Sequence, residues 1–356
     1  MTVVLHDYML VRGGAERLVL TLARGLGAVL ITGFVSPNVE PWLREVPVQP
    51  LGQPIPGTLA RYLLMAHRFT HIDPARLSGA QTIYSGVLAP LAVHRQLTGR
   101  RIHYCHSPPR FVYDLHSFYL DQLGPVAGLG LKAFCNWYRP RYERALRAMD
   151  VVVANSQNVA NRLQRYLGIK ALVVSPPIDT DRFKWLEAGD YFLSLARLED
   201  YKRVDLIINA FRQMPQQQLV VASGGSQEQS YRHLAEGCHN ISFTSWLDDE
   251  ALAKVIGACR AVLYLPHDED FGMSPLEAMS AGKPVIGVAE GGLLETVLHG
   301  NTGLLLRPSP QTDDIIQAVN QMTLQQVAHM QLDCQQRASQ FSRELFLARM
   351  REAMTL

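Results

Sequence analysis

Short β-branched runs alternate with stretches of helical periodicity along the whole chain, and the alternation stops once and then restarts. In the first half the runs are TVVLH (2–6), AVLITGF (28–34), TIYSG (82–86), RIHYC (101–105), VVVANS (151–156) and ALVVSP (171–176), with helical patterns at 14–26, 89–98 and 157–167. Strands this apolar need cover on both faces, and helices that connect parallel strands supply it. The pattern halts at PPIDTDRF (176–183), a proline- and aspartate-rich linker. It resumes with YFLSLARL (191–198), QLVVASGG (218–225), ISFTSW (241–246), AVLYLP (261–266) and PVIGVA (284–289). Helical patterns lie at 204–213, 227–236, 249–259, 275–281 and 293–299, and then fill 311–354 with no strand among them. Two consecutive doubly wound α/β domains are therefore expected, 1–178 and 179–340, followed by a terminal helix within 341–356. In such sheets ligands bind beyond the C-terminal ends of the strands.

A length of 356 residues suits two domains, and 47 % hydrophobic with 19 % charged residues suits ordinary globular ones. No run of about 18 apolar residues is present, so no membrane-spanning helix is expected. MTVVLHDYML lacks a charged leader region and a cleavage site, so no signal peptide is expected either. Five scattered cysteines without a Cys-x-x-Cys pair argue for a reducing compartment and against structural zinc, which points to the cytoplasm. Residues 1–178 carry 19 Lys/Arg against 9 Asp/Glu, whereas 179–356 carry 15 against 23. A basic half joined to an acidic half implies domains with different partners; drift without meaning is the bland alternative. Nucleic acid is not among the partners expected.

Chemistry-bearing residues gather at the strand ends. After the first strand, Gly13 and Gly14 open a helix with Glu16 in its first turn, which suits an anion or a turn that needs positive φ. Arg197 leaves the first strand of the second domain and Lys202 follows in the next loop. Two cations beside a helix start can clamp a diphosphate; the alternative is a solvated loop neutralised by Glu199 and Asp200. Gly224-Gly225 and Gly291-Gly292 repeat the glycine pair at two further strand-to-helix turns, which suggests backbone closing round a flat or phosphorylated ligand. Ser226 is expected to cap the helix after the first of these pairs. HDEDFGMSPLE (267–277) follows AVLYLP, with Ser274 expected as N-cap, Pro275 at N1 and Glu277 at N3 of a capping box. Asp268-Glu269-Asp270 also fits a loose Asp-x-Asp metal pattern, although the surrounding layout does not.

Glu269-x7-Glu277, together with LARLEDYKR and RGGAER, resembles the elements of glycosyltransferase family 4 in family order over essentially the whole chain. The branch that the chain most resembles, through IHYCHSPPRFVYD and EDFG, is the O-antigen and exopolysaccharide mannosyltransferases. The resemblance implies the GT-B fold, two Rossmann-like domains facing across a cleft, with the C-terminal helix crossing back to the first. It implies a retaining, metal-independent transferase with no cofactor. Arg197 and Lys202 would bind the donor pyrophosphate, and Glu277 the ribose. Glu269 would meet the sugar, and the N–H groups of Phe271, Gly272 and Met273 would meet sugar or phosphate. Gly14 would let its loop approach the diphosphate, and His106 would lie near the sugar or else tie its own loop. Gly13, Gly225, Trp246 and Ser274 complete the expected donor site. Asp270 and Trp246 depart from the family pattern, which has Gly at both places in many members.

The resemblance further implies α-mannosyl transfer from GDP-mannose to a polyprenyl-diphosphate-linked or other glycan acceptor, with a UDP-sugar donor as the alternative. The basic first half suits an anionic acceptor or a membrane surface, through Arg61, Arg68, Arg95, Arg100 and Arg101. The stretch 118–147 either lies on that interface or is a core helix with a basic face. An epimerase of the same architecture and a non-catalytic nucleotide-sugar-binding partner are the rival functions. The first would not need the Glu-x7-Glu helix; the second would not need Arg197, Lys202 and Glu269 together.

Overall fold

The computed structural model describes residues 1–11 and 13–356. Arg12, the first residue of RGGAER, lies outside the described residues. The chain divides into two compact units, Met1–Pro176 with Phe346–Leu356, and Pro177–Leu345.

In the first unit the strands are β1 (Thr2–His6), β2 (Val29–Thr32), β3 (Val48–Pro50), β4 (Gln81–Ser85), β5 (Arg101–Cys105), β6 (Val151–Ala154) and β7 (Leu172–Val173). They form one sheet in the order β3-β2-β1-β4-β5-β6-β7, parallel throughout. Helices α1 (Gly14–Leu26), α2 (Thr58–Thr70), α3 (His116–Asp121), α4 (Pro125–Arg147) and α5 (Gln157–Leu167) connect them. Alternate residues of β1 enter different cores, Val4 one and Val3 and Leu5 the other, as a sheet covered on both faces requires.

In the second unit β8 (Tyr191–Ser194), β9 (Gln218–Val221), β10 (Ile241–Phe243), β11 (Val262–Tyr264), β12 (Val285–Val288) and β13 (Gly303–Leu306) pair in the order β10-β9-β8-β11-β12-β13. Its helices are α6 (Val204–Arg212), α7 (Glu228–Leu234), α8 (Asp249–Ala258), α9 (Met273–Ser280), α10 (Leu293–Thr296), α11 (Thr312–Gln321) and α12 (Leu324–Ser339). The last helix, α13 (Arg343–Ala353), packs mostly into the first unit. There Phe346 meets Tyr104 edge-on at 6.0 Å, and Arg351 donates to the Gly25 carbonyl at 2.8 Å. Gly25 is needed at that crossing, because a Cβ there would meet Leu347 at 2.4 Å.

Both units are thus Rossmann-like, and strand order reverses between β1 and β4 in one and between β8 and β11 in the other. These reversals are the switch points at which such sheets bind ligands. Two strands, β3 and β13, and the helix α2 are additional to the sequence reading. GLLL carries no β-branched residue, and VQP ends in a proline tolerated only at a sheet edge. The expected helix at 293–299 is a single turn, since the chain turns extended at Val297.

Candidate active site

The glycine loop after β1 does not contain the positive-φ turn that was one of its two expected uses. Gly13 is the N-cap of α1 in an extended conformation, φ −86°, so positive φ is not its purpose. A Cβ on it would stand 2.6 Å from the Glu16 carboxylate. Gly14 is the first helical residue and is exposed.

Asp7, one residue beyond β1, was given no role from sequence and is the most heavily engaged side chain at this switch point. The N–H groups of Val87, Leu88 and Ala89 donate to its carboxylate at 2.8, 2.8 and 2.7 Å. Gly86, at φ +103°, makes this possible, because a Cβ there would stand 2.5 Å from the carboxylate. Burial pushes the Asp7 carboxyl up to about 6 against the pull of those three donors.

His106 follows the end of β5 and is partly exposed. Its Nε2 lies 2.7 Å from Ser85 Oγ at the end of β4, and the same hydroxyl lies 3.2 Å from His6 Nδ1 at the end of β1. Burial lowers His106 to about 3 and His6 to about 4, so both rings are neutral at pH 7.

The switch point of the second unit is charged. Lys202 closes a single 3-10 turn (Asp200–Lys202) and is buried. Its Nζ stands 2.5 Å from Glu269 Oε2, which also accepts from Tyr264 Oη at 3.1 Å. Burial opposes the ammonium charge, yet Tyr264 and Glu269 hold Lys202 above its ordinary pKa. The carboxylate on Lys202 is therefore Glu269, 67 positions away in the chain. Glu199 is turned elsewhere, accepting from Ser226 Oγ at 2.6 Å. Arg197 is exposed at the end of β8 and makes no side-chain hydrogen bond or ion pair among the described residues.

Two capping expectations need correction. Helix α9 begins at Met273 with Gly272 as N-cap at φ +95°, so Ser274 is the second helical residue, Pro275 the third and Glu277 the fifth. The left-handed turn that only glycine makes cheaply starts the helix before Ser274 can cap it. Likewise Gln227, not Ser226, is the N-cap of α7, because Ser226 is held by Glu199. The N–H groups of Phe271, Gly272, Met273 and Ser274 make no hydrogen bond among the described residues. They are donors left over at a helix start, where an anion is favoured. The Phe271 ring is buried and meets Phe341 edge-on at 5.5 Å, leaving only its backbone for a ligand. Glu277 is partly exposed on α9.

The glycine pairs of this unit approach protein backbone closely. A Cβ on Gly225 would meet the Leu198 carbonyl oxygen at 2.4 Å, and on Gly291 the Glu269 carbonyl oxygen at 2.4 Å. Gly292 N–H donates to that same Glu269 oxygen at 2.8 Å. The Gly291-Gly292 turn is thus a backrest for the loop that carries Glu269. A second ion pair pins the loop from below: Arg203 Nη1 donates to Glu290 Oε1 at 3.0 Å, and Glu290 accepts from Asp268 N–H at 3.2 Å and Ser309 N–H at 2.8 Å. His267, unassigned from sequence, joins it, with Nδ1 2.8 Å from Arg203 Nη2. Trp246 is 67 % exposed and lies over Gly224, where a Cβ would stand 2.4 Å from the indole nitrogen. Asp7 and Glu290 were overlooked although each follows a strand end in the sequence. Their position was visible, but the partners that give it meaning were not. Among the described residues no group of three or more His, Cys, Asp or Glu stands together as a metal set.

Comparison with known proteins adds to this geometry. Residues 12–182 match the family model described as Glycosyltransferase Family 4, and residues 177–341 the model described as Glycosyl transferases group 1. The human α-1,3/1,6-mannosyltransferase ALG2 is 26 % identical over 353 residues, covering 84 % of this chain and 82 % of that protein. The Dictyostelium discoideum protein of the same name is 31 % identical over 159 residues, and the chain spans 38 % of its length. The Escherichia coli O-antigen chain mannosyltransferase C is 26 % identical over 207 residues, 54 % of this chain and 56 % of that one. The crystal structure of Anabaena HepE in complex with UDP and glucose superposes with a TM-score of 0.78 at 19 % identity, covering 100 % and 99 % of the two chains. The fold is therefore GT-B, and the chain is a glycosyltransferase that belongs to family 4.

Proposed function

We propose that this enzyme transfers α-mannose from GDP-mannose, with retention and without a metal ion, to a lipid-linked or polysaccharide acceptor in cell-surface glycan assembly. The observation that carries the proposal is the Lys202–Glu269 pair at the β8–β11 switch point, with Arg197 nearby and the undirected N–H groups at the start of α9. In this reading Lys202 and Arg197 bind the donor pyrophosphate and stabilise the charge that grows on it as the bond from C1 to phosphate oxygen breaks. The acceptor oxygen forms its bond to C1 on the same face, and its proton passes to the departing phosphate, so no protein base is required. The 271–274 N–H groups meet the sugar or β-phosphate and Glu277 the ribose. Glu269 orients both the sugar and the Lys202 ammonium. Gly13, Gly14, His106, Gly225 and Trp246 touch the donor in the same reading. The mannosyltransferase names of the relatives support the choice of sugar.

A UDP-sugar donor is the second reading, supported by the UDP and glucose held by the fold relative HepE. A panel of GDP-mannose, UDP-glucose, UDP-galactose and UDP-GlcNAc, scored by donor hydrolysis with and without chelator, decides between them. Turnover of GDP-mannose unaffected by chelator is expected; strict dependence on added metal would end this mechanism.

A peripheral contact with anionic lipid belongs to the same proposal. No described helix is long and apolar enough to cross a membrane. On α4, Val126, Leu129 and Trp137 are 88 %, 70 % and 37 % exposed along one stripe. Lys132 is exposed beside it, and Arg141 stacks on the Trp137 ring at 4.5 Å. The helix carries five cations and the single acid Glu143, a charge that suits an anionic surface. Flotation with phosphatidylglycerol vesicles but not with phosphatidylcholine vesicles is expected, weakened by Leu129→Ser with Val126→Ser.

A further inference from the structure

Three adjacent strand ends in the first unit bring two imidazoles to one hydroxyl. In the order β1-β4-β5, His6 stands opposite Ser85, and Ser85 opposite Tyr104, the residue two before His106. Ser85 is fully buried and His6 is 4 % exposed, whereas His106 is partly exposed. The serine oxygen therefore faces a ring nitrogen on either side, His6 Nδ1 at 3.2 Å and His106 Nε2 at 2.7 Å. It owns one proton and cannot donate to both.

The two distances settle the direction. A hydroxyl that donates makes a shorter bond than a ring N–H that donates to a hydroxyl. At 2.7 Å the serine proton lies toward His106 Nε2, and at 3.2 Å His6 Nδ1–H donates to the serine oxygen. His106 is anchored around this bond, with its own carbonyl accepting from Asn155 Nδ2 at 2.8 Å and its ring against Tyr104 at 5.2 Å.

We propose that Ser85, backed by His6, is a positioning residue that donates to Nε2 of His106 and so keeps the proton of that neutral ring on Nδ1. His106 then meets the donor sugar or phosphate as a hydrogen-bond donor and not as a proton acceptor. This rests on the reading above in which His106 touches the donor. It is consistent with a same-face transfer in which the leaving phosphate, not the protein, takes the acceptor's proton. It also separates the two histidines by task, since His6 never reaches the ligand.

The tautomer can be measured directly. In the full-length protein with 15N-labelled histidine, two-bond proton–nitrogen correlations report which ring nitrogen is protonated, and His106→Gln identifies the His106 signals. Wild-type His106 is expected in the Nδ1–H form from pH 6 to pH 8. Ser85→Ala is expected to move it toward the Nε2–H form and to lower kcat about tenfold, the low end of a positioned proton-bearing group, with donor KM within about twofold. Ser85→Thr keeps a hydroxyl on a strand position suited to a β-branched residue and is expected to restore both tautomer and rate. A wild-type Nε2–H ring, an unchanged tautomer in Ser85→Ala, or a shifted tautomer with unchanged kcat would each overturn the proposal. The spectroscopic arm needs no turnover, so loss of the mannosyltransferase reading and loss of this one are told apart. A Ser85→Ala variant with a wild-type melting point excludes simple unfolding as the cause.

Discussion

The two switch points share a topology and are opposite in chemistry. The basic first half places neutral, buried histidines, a serine and an amide-bound aspartate at its reversal; the acidic second half places Lys202, Arg197 and Arg203 at its own. Net charge by domain therefore describes solvated surface and says little about the charge at a strand end. Topology decides where a ligand sits, and side chains contributed from distant strands decide what it meets.

Removing Lys202 is the hardest blow to this contrast. Lys202→Met should lower kcat by about 10³-fold in a donor-hydrolysis assay, the cost of losing a preorganised charge at the leaving group. It also strands a largely buried carboxylate, so chemical denaturation should show a loss on the order of 3 kcal/mol. Lys202→Met with Glu269→Gln should recover stability but not rate. Arg197→Ala, exposed and without a partner among the described residues, should lose about 10²-fold in rate with an unchanged melting temperature. Equal thermal losses for the two cations would erase the distinction drawn between them.

Acidification should strike the first unit harder. His6 and His103 fall to about 4 and His106 to about 3, each pushed first by burial, so their neutral forms stabilise the fold above the ordinary histidine pKa near 6.5. That stability drains as pH falls from about 6.5 toward 4, because the unfolded chain takes up the protons first. Each buried histidine is worth on the order of 3 kcal/mol by linkage. Asp7 works the other way. Raised to about 6, it is best tolerated protonated, and its stabilising share is lost as pH rises through that value. Three histidines outweigh one aspartate, so hydrogen–deuterium exchange at pH 5 should accelerate in β1, β4 and β5 before β8 and β11. The reverse order would refute the assignment of neutral rings.

Gly291→Ala should cost about tenfold in kcat and roughly 2 kcal/mol, because φ +56° and the Glu269 carbonyl at 2.4 Å leave no place for a methyl. Gly13→Ala should cost under about 1 kcal/mol. Its backbone is already extended, and the atom it would meet is the movable end of Glu16. Similar losses at the two glycines, measured by denaturation and steady-state rates, would mean that both loops work alike.

Much of this was legible in one dimension. Alternating β-branched runs and helical patterns predicted both Rossmann-like units, because an apolar strand needs helices over it wherever it lies. The Glu-x7-Glu spacing and the run LARLEDYKR located the charged loops, since each sits within one strand-to-helix turn. Where short-range signals compete, the reading failed. Ser274 and Ser226 looked like helix caps, but a left-handed glycine and a distant glutamate overrode them.

The sequence by itself determined the order of strands and helices and the residues that would stand at their ends, because periodicity and turn chemistry are local. Only the tertiary structure decided that Lys202 would face Glu269, that Asp7 would hold three amides after β4, and that Ser85 would lie between two histidines. Those contacts join residues 67, about 80 and 79 positions apart. They exist because parallel sheet order sets non-consecutive strands side by side, an adjacency that no local pattern of hydrophobicity or charge encodes.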